Sequence, residues 1–166
     1  MLWLLLICAL QSAAADRMLL SEQTREGVEK VLAEAVAKGE RRIEIVILPA
    51  GEARRTPFGE FAFGYGGQGH GDVSLPNPAF FQHLDWVLKR VQSRRLEAVV
   101  LPVDRGSNLV GRNDREKWFE WGRYLGRRYM KAKGLVWLKQ DDAGPLLAVE
   151  EGIRQFDTIH RFESGR

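Results

Sequence analysis

Three short apolar runs govern what this chain can become: residues 43–48 (IEIVIL), 96–101 (LEAVVL) and 135–138 (LVWL). Each is rich in aliphatic or aromatic side chains and nearly free of polar alternation, the pattern of a strand buried on both faces. Each follows a longer stretch with helical periodicity. Within 24–38, Val28, Val31, Leu32, Ala35 and Val36 recur at i, i+3, i+4, i+7 and i+8, and Gly39 ends the segment. Asn77-Pro78 supplies an N-cap and a first-turn proline for a second helix, with Phe80, Phe81, Leu84, Val87, Leu88 and Val91 inward. Asn113 or Asp114 caps a third, whose inward face is Trp118, Trp121, Leu125 and Tyr129. Gly122 and Gly126 stand four apart on it, so this helix is expected to approach a neighbour closely. Pro145 opens a fourth helix with Leu146, Val149, Ile153 and Phe156 inward, and residues 158–162 are expected to begin a fourth strand. Strands alternating with helices predict an α/β fold with a parallel sheet and crossover helices.

The length then narrows the architecture. At 166 residues the chain is one domain of ordinary size, short of the roughly 250 residues of a closed (β/α)8 barrel. Hydrophobic residues at 45% exclude a disordered chain. The net charge of +3, from 25 Lys+Arg against 22 Asp+Glu, is spread along the chain, and without a one-sided basic patch no nucleic-acid partner is expected. Residues 2–10 (LWLLLICAL) followed by Ala13, Ala14 and Ala15 have the layout of a signal peptide occupying 1–15, which leaves 16–166 as the domain and implies a secreted, periplasmic or cell-envelope protein. An anchor or a buried strand are the competing readings. The run is too short for a stable membrane span. Cys8 is the sole cysteine, so a chain cleaved after Ala15 has no disulfide, zinc-thiolate site or cysteine nucleophile.

Ligand sites in parallel α/β folds lie at the carboxyl ends of the strands. The connection 49–76 is longer than ordinary loops and carries Phe58, Phe61, Phe63 and Tyr65, which are placed to present aromatic faces. After Leu138 come Asp141 and Asp142, where a carboxylate serves either as a general acid or base or as the cap of the helix opened by Pro145. After the second strand, Asp104-Arg105 offers a clamp for a polar substrate or a surface ion pair. Glu52 and Glu60 read as solvated loop residues. His70, His83 and His160 show no metal-ligand spacing, and His83 reads as a half-buried, hydrogen-bonded histidine. There is no nucleophile elbow, phosphate loop or dinucleotide fingerprint, so no cofactor or metal is implied.

Several segments in order resemble the apiosidase-like family of secreted (β/α)8-barrel glycoside hydrolases, often joined to a collagen-binding domain. They are PNPAFFQHLDWVLKR (76–90), LEAVVLPV (96–103), EWGRYLGRRY (120–129), LVWLKQDD (135–142) and AVEEGIRQFD (148–157), with TREGVEKVLAEAVAKG, IEIVILPAGE and TPFGEFAF upstream. The resemblance spans about residues 24–163 and implies a partial TIM-barrel-like fold and a carbohydrate partner, a poly- or oligosaccharide. It assigns Asp142 to the family's catalytic Asp, as acid/base. Gln140 and Asp141 stand where the family has two glycines, and Asp104-Arg105-Gly106 where it has a Trp-Gly pair. The substrate contacts expected from this placement are Phe61, Tyr65, Asp104, Arg105 and Asp141. Glycoside hydrolysis uses two carboxylates, and no motif here supplies the second. The expectation is therefore a truncated or degenerate relative, inactive alone, with two alternatives: a non-catalytic carbohydrate-binding protein, or an enzyme completed by a second chain. Open sheet edges would favour such self-association.

Overall fold

The computed structural model describes residues 19–21, 23–52, 55–65, 71–139 and 144–165, with only the backbone of Tyr65. The signal-peptide reading of 1–15, His70, Asp141 and Asp142 lie outside the described residues. The elements are α1 (Arg25–Ala37), β1 (Arg42–Leu48), β2 (Phe63–Tyr65), β3 (Gly71–Pro76), α2 (Pro78–Ser93), β4 (Glu97–Val103), α3 (Arg115–Tyr129), β5 (Leu135–Lys139), α4 (Pro145–Arg154) and β6 (Phe162–Ser164).

Four strands form one parallel sheet in the order β1-β4-β5-β6, which is their order along the chain. A doubly wound sheet reverses its order at a switch point. This one does not, and right-handed crossovers then put the helices on one face. That is the arrangement of consecutive units in a (β/α)8 barrel. Parallel partners share a face, so register separates the two sides. Ile43, Ala98 and Leu135, then Ile45, Val100 and Trp137, face the helices and join the main core. Val46 with Leu101, and Val99 with Val136, occupy the opposite face and are buried as well.

The helix caps follow the sequence in most places. Thr24 accepts from Gly27 N at 3.2 Å, Asn77 from Ala79 N at 3.1 Å and Asp114 from Lys117 N at 2.9 Å. Asp114 is thus the cap of α3, and Asn113 has another task described below. The N-cap of α4 is Gly144, at φ 82°, so neither Asp141 nor Asp142 occupies that position. The expected close approach of α3 is to α4. A Cβ on Gly122 or Gly126 would lie under 3.0 Å from the carbonyl oxygen of Val149 or Ile153, and one on Gly152 would meet Phe119 O equally closely. Three glycines therefore form a seam in which the two helix backbones touch. An Arg115–Glu151 ion pair and the Arg127 guanidinium over the Phe156 ring flank it.

Two elements depart from the sequence reading. The connection 49–76 contains an antiparallel hairpin, β2 with β3, pairing Phe63 with Pro76 and Tyr65 with Gly71. The last strand starts at Phe162 rather than Thr158. Its delay has a local cause: Asp157 Oδ1 accepts from Ile159 N and His160 N at 3.3 and 3.0 Å, turning the backbone before it can pair. No helix among the described residues is long and apolar enough to cross a membrane.

Candidate functional site

The carboxyl ends of β1 and β4 are knitted together past the last strand residues. Leu48 O accepts from Asp104 N, Gly106 O from Gly51 N and Gly51 O from Asn108 N, each at 2.8 Å, and Gly51 forms a parallel bridge to Ser107. Gly51 has φ 82°, a conformation that favours glycine. A Cβ on Gly106 would sit 3.0 Å from Ala50 Cβ, so the two loops cross tightly. Asp104 Oδ1 accepts from Gly106 N at 2.9 Å and thereby sets this turn. Arg105 follows it on the exposed surface. Asn108 Nδ2 reaches Glu52 Oε1 at 3.5 Å, which carries the Glu52 side chain toward the β4 loop.

The aromatic connection is built rather than loose. Thr56, 4% exposed, accepts through Oγ1 from Phe58 N at 3.3 Å and Glu60 N at 3.2 Å, closing the turn that holds Phe58. Asn77 ties this turn to α2 through Glu60 Oε2 at 3.1 Å and Phe61 O at 2.9 Å. Phe61 is partly buried with the Arg55 guanidinium 4.1 Å above its ring, and Phe63 is buried edge-on to Trp121. Phe58 is 55% exposed. Behind it His83 is buried, more deeply than the sequence suggested. The Phe58 ring meets it edge-on at 5.2 Å and the Trp86 ring stacks at 6.0 Å, with Arg25 over both aromatic faces. Its nitrogens make no close hydrogen bond among the described residues. Burial and then the Arg25 charge hold its pKa below the usual imidazole value, against a smaller contribution from the Leu19 backbone. Ring contacts dominate the surroundings of this histidine.

Asn113 clamps the hairpin to the β4–α3 loop: its Oδ1 accepts from Val73 N at 3.3 Å, and its Nδ2 donates to Gly71 O at 3.2 Å. Next to it, Asp72 accepts from Ser74 Oγ at 2.6 Å and Lys117 Nζ at 2.8 Å. Burial pushes the Asp72 carboxyl up, but Lys117 and Ser74 outweigh it and hold the pKa below the usual range.

Three further carboxylates are occupied at the other end of the sheet. Glu163, which the sequence left without a place, accepts from Arg42 at 2.7 Å and Arg161 at 2.9 Å, while Glu97 takes the same two arginines at 2.8 and 2.7 Å. The four side chains close an alternating ring on the face away from the helices. Asp157 is 1% exposed and takes Trp137 Nε1 at 2.8 Å and His160 Nδ1 at 2.7 Å, while His160 Nε2 donates to Ala132 O at 2.6 Å. Burial raises its pKa, and the Trp137 and His160 donors more than reverse that. Sequence reasoning missed this clamp, because only the fold brings the Trp137 indole to a residue twenty positions later. The carboxyls of Glu29, Asp72, Asp157 and Glu163 are held below their ordinary values by their donors, the opposite of what a general acid at neutral pH requires, and among the described residues no group of His, Cys, Asp and Glu is arranged to hold a metal ion.

The sequence matches the family described as "Apiosidase-like, catalytic domain" over residues 14–163. No curated protein matches it. Among solved structures, a glycoside hydrolase family 5 protein from Bacteroides vulgatus superposes with a TM-score of 0.72 at 15% identity, covering 89% of this chain and 33% of that one. A second glycoside hydrolase superposes with a TM-score of 0.71 at 14% identity, over 89% and 34%. At such identities the likeness is one of fold, and the chain spans about a third of the length of these structures.

Proposed function

Because the chain belongs to the apiosidase-like catalytic-domain family, we propose that it binds carbohydrate at the carboxyl ends of β1, β4 and β5, with Asp142 as the acid/base carboxylate of a glycoside-hydrolase site. The ligand is a polysaccharide or an oligosaccharide derived from its side chains. Phe61, Tyr65, Asp104, Arg105 and Asp141 are its proposed contacts. The observation that carries this reading is the family match over residues 14–163, which takes in Asp142. The carboxylates most firmly engaged in the fold, Asp72, Asp157 and Glu163, are all held toward the ionised form by donors. A retaining or inverting mechanism needs one carboxyl kept protonated and a second facing it. Asp142 takes the first role by its place in the family resemblance, in the strand segment LVWLKQDD. The second is not supplied by any motif in the chain, so the protein alone binds sugar without turning it over.

The test pairs turnover with binding. Aryl glycosides and plant-type oligosaccharides are assayed with the chain and with Asp142→Asn, and binding is followed by calorimetry. Binding without turnover in both proteins is the expected outcome. Turnover by the chain alone that disappears in Asp142→Asn would show that the second carboxylate is present after all. The exposed ring of Phe58 favours a related second reading, a purely carbohydrate-binding protein using the aromatic turn. In that case Phe58→Ala abolishes binding and Asp142→Asn leaves it intact.

A further inference from the structure

On the helical layer, where β5 begins and α2 and α3 end, lies a cavity of about 400 Å³. It is remote from the carboxyl ends of the strands. Its size is that of small-molecule sites. Its charge is one-sided: Lys89, Arg128, Lys131 and Lys133 against Asp85 alone, four cations to one anion. That one carboxylate is already taken. Asp85 holds Arg128 in a two-point fork, Oδ1 to Nε at 3.0 Å and Oδ2 to Nη2 at 2.6 Å, and Arg128 Nη1 also donates to Tyr124 Oη at 3.1 Å. The three lysines have no ion-pair partner among the described residues. Basic side chains at helix C-termini complement the helix dipole, and this alone would account for Lys131 next to the end of α3. It does not account for the cavity, nor for Tyr129.

Tyr129 lines the cavity and is 3% exposed, and its hydroxyl approaches Asp85 without closing a hydrogen bond of ordinary length. Buried hydroxyls are nearly always satisfied. Burial first, then the charge of Asp85, pushes its pKa well up, so the group stays a neutral phenol able to donate. The remaining wall is Leu88, Ala132 and Leu135, with the Gln92 amide among them. A ligand that suits these surfaces carries a negative charge for the lysines and a compact ring face for the leucines.

We propose that this cavity is a second binding site, for an anionic sugar unit whose charge is a carboxylate or a phosphate. The choice of a sugar rests on the carbohydrate reading above; the choice of an anion rests on the cavity. The site is separate from the carboxyl ends of the strands, so it anchors an acidic glycan rather than cleaving it. The experiment is calorimetry on the full chain with methyl glucuronide, glucose 6-phosphate and methyl glucoside. Binding of an anionic probe with none of methyl glucoside, weakened by added salt, is the expected result. The stronger of the two anionic probes identifies the carboxylate or the phosphate as the source. Lys131→Ala with Lys133→Ala, both exposed and chosen to spare the fold, should weaken it about tenfold or more, and Tyr129→Phe should weaken it less. Equal binding of methyl glucoside, unchanged affinity in the double variant, or binding of neither anion overturns the proposal. Retained binding of neutral oligosaccharide in the same double variant separates failure of this site from failure of the carbohydrate reading.

Discussion

Where the strands begin, Arg42, Glu97, Arg161 and Glu163 close a ring of ion pairs, and Asp157 and His160 bind the approach to β6 to Trp137 and to the α3–β5 turn. Where the strands end, the loops after β1 and β4 are joined by backbone hydrogen bonds, with one side chain, Asp104, setting the turn. The first end uses its charged groups up in holding the sheet. The second carries Glu52, Asp104 and Arg105 on a surface shaped by the main chain, with Asp104 bound to Gly106 N and Glu52 reached by Asn108. In a barrel-type sheet, residues at the carboxyl end carry function and those at the opposite end carry stability. The ring of ion pairs at the first end fits the stabilising role. On a flat sheet β1 and β6 would stand about 14 Å apart. Arg42 and Glu163 meet directly across β4 and β5, as a sheet curled toward that face allows.

The comparison breaks most visibly at the glycine seam, which both ends depend on. Gly152→Ala or Gly122→Ala drives a methyl into the backbone of the facing helix, where no side chain can yield. Overpacking of this kind costs about 3 kcal/mol or more. For a chain of this length that lowers the melting temperature by roughly 6 °C or more, read by thermal unfolding. A melting temperature within a degree of the unsubstituted protein would mean that α3 and α4 are not in backbone contact.

Next comes the Asp157 clamp. Asp157→Ala strands the buried Trp137 indole N–H and frees two backbone amides, a loss of about 2–3 kcal/mol at neutral pH. The sign of its pH dependence follows from the lowered folded pKa. The contribution is fully present above the unfolded value of 3.8 and is lost as pH falls through the folded value below it. Chemical denaturation between pH 2 and pH 6 should therefore show a smaller gap between the two proteins at the acid end. A gap that stays constant over that range would remove the ionised carboxylate from the account.

The ring of ion pairs is exposed, so its effect is smaller and local. Glu163→Gln should speed amide exchange in β6 with little change in α1 or α2, and added salt should narrow the difference. Equal exchange in β6 would mean that the ion pairs do not tether that strand.

The sequence discloses these regions unequally, for physical reasons. Residues 43–48, 96–101 and 135–138 are strands because continuous apolar runs have no other stable place, and the parallel α/β order follows. The Gly122 and Gly126 spacing announces a close helix contact, though not that Gly152 completes it from α4. The β2–β3 hairpin was hidden, because three residues of β2 and the glycine-rich sequence after them carry no alternation to read. The start of β6 shifted because Asp157 bends the backbone ahead of it, and the carboxylate that makes the bend is held by the Trp137 indole from twenty positions away. Among candidate site residues, Asp104 was legible as a loop group after a buried strand. That it sets its own turn was not, since Asx turns and ligand contacts draw on the same residue types.

The smallest stability effect belongs to the carboxyl end, and there it separates two roles of one residue. Asp104→Ala removes the acceptor of Gly106 N and should cost less than about 1 kcal/mol. Asp104→Asn keeps an oxygen for that amide and should match the unsubstituted protein in stability. If Asp104 also meets the ligand through its charge, both substitutions weaken oligosaccharide binding to a similar extent, although only the alanine loosens the turn. That is the expected outcome, and calorimetry on the two variants beside their unfolding curves reads it directly. An asparagine variant that binds as tightly as the original would confine Asp104 to holding the β1 and β4 loops in register. Recognition at this end would then fall to Arg105 and the aromatic turn, and the contrast between the ends would narrow to the loops' backbone and those few side chains.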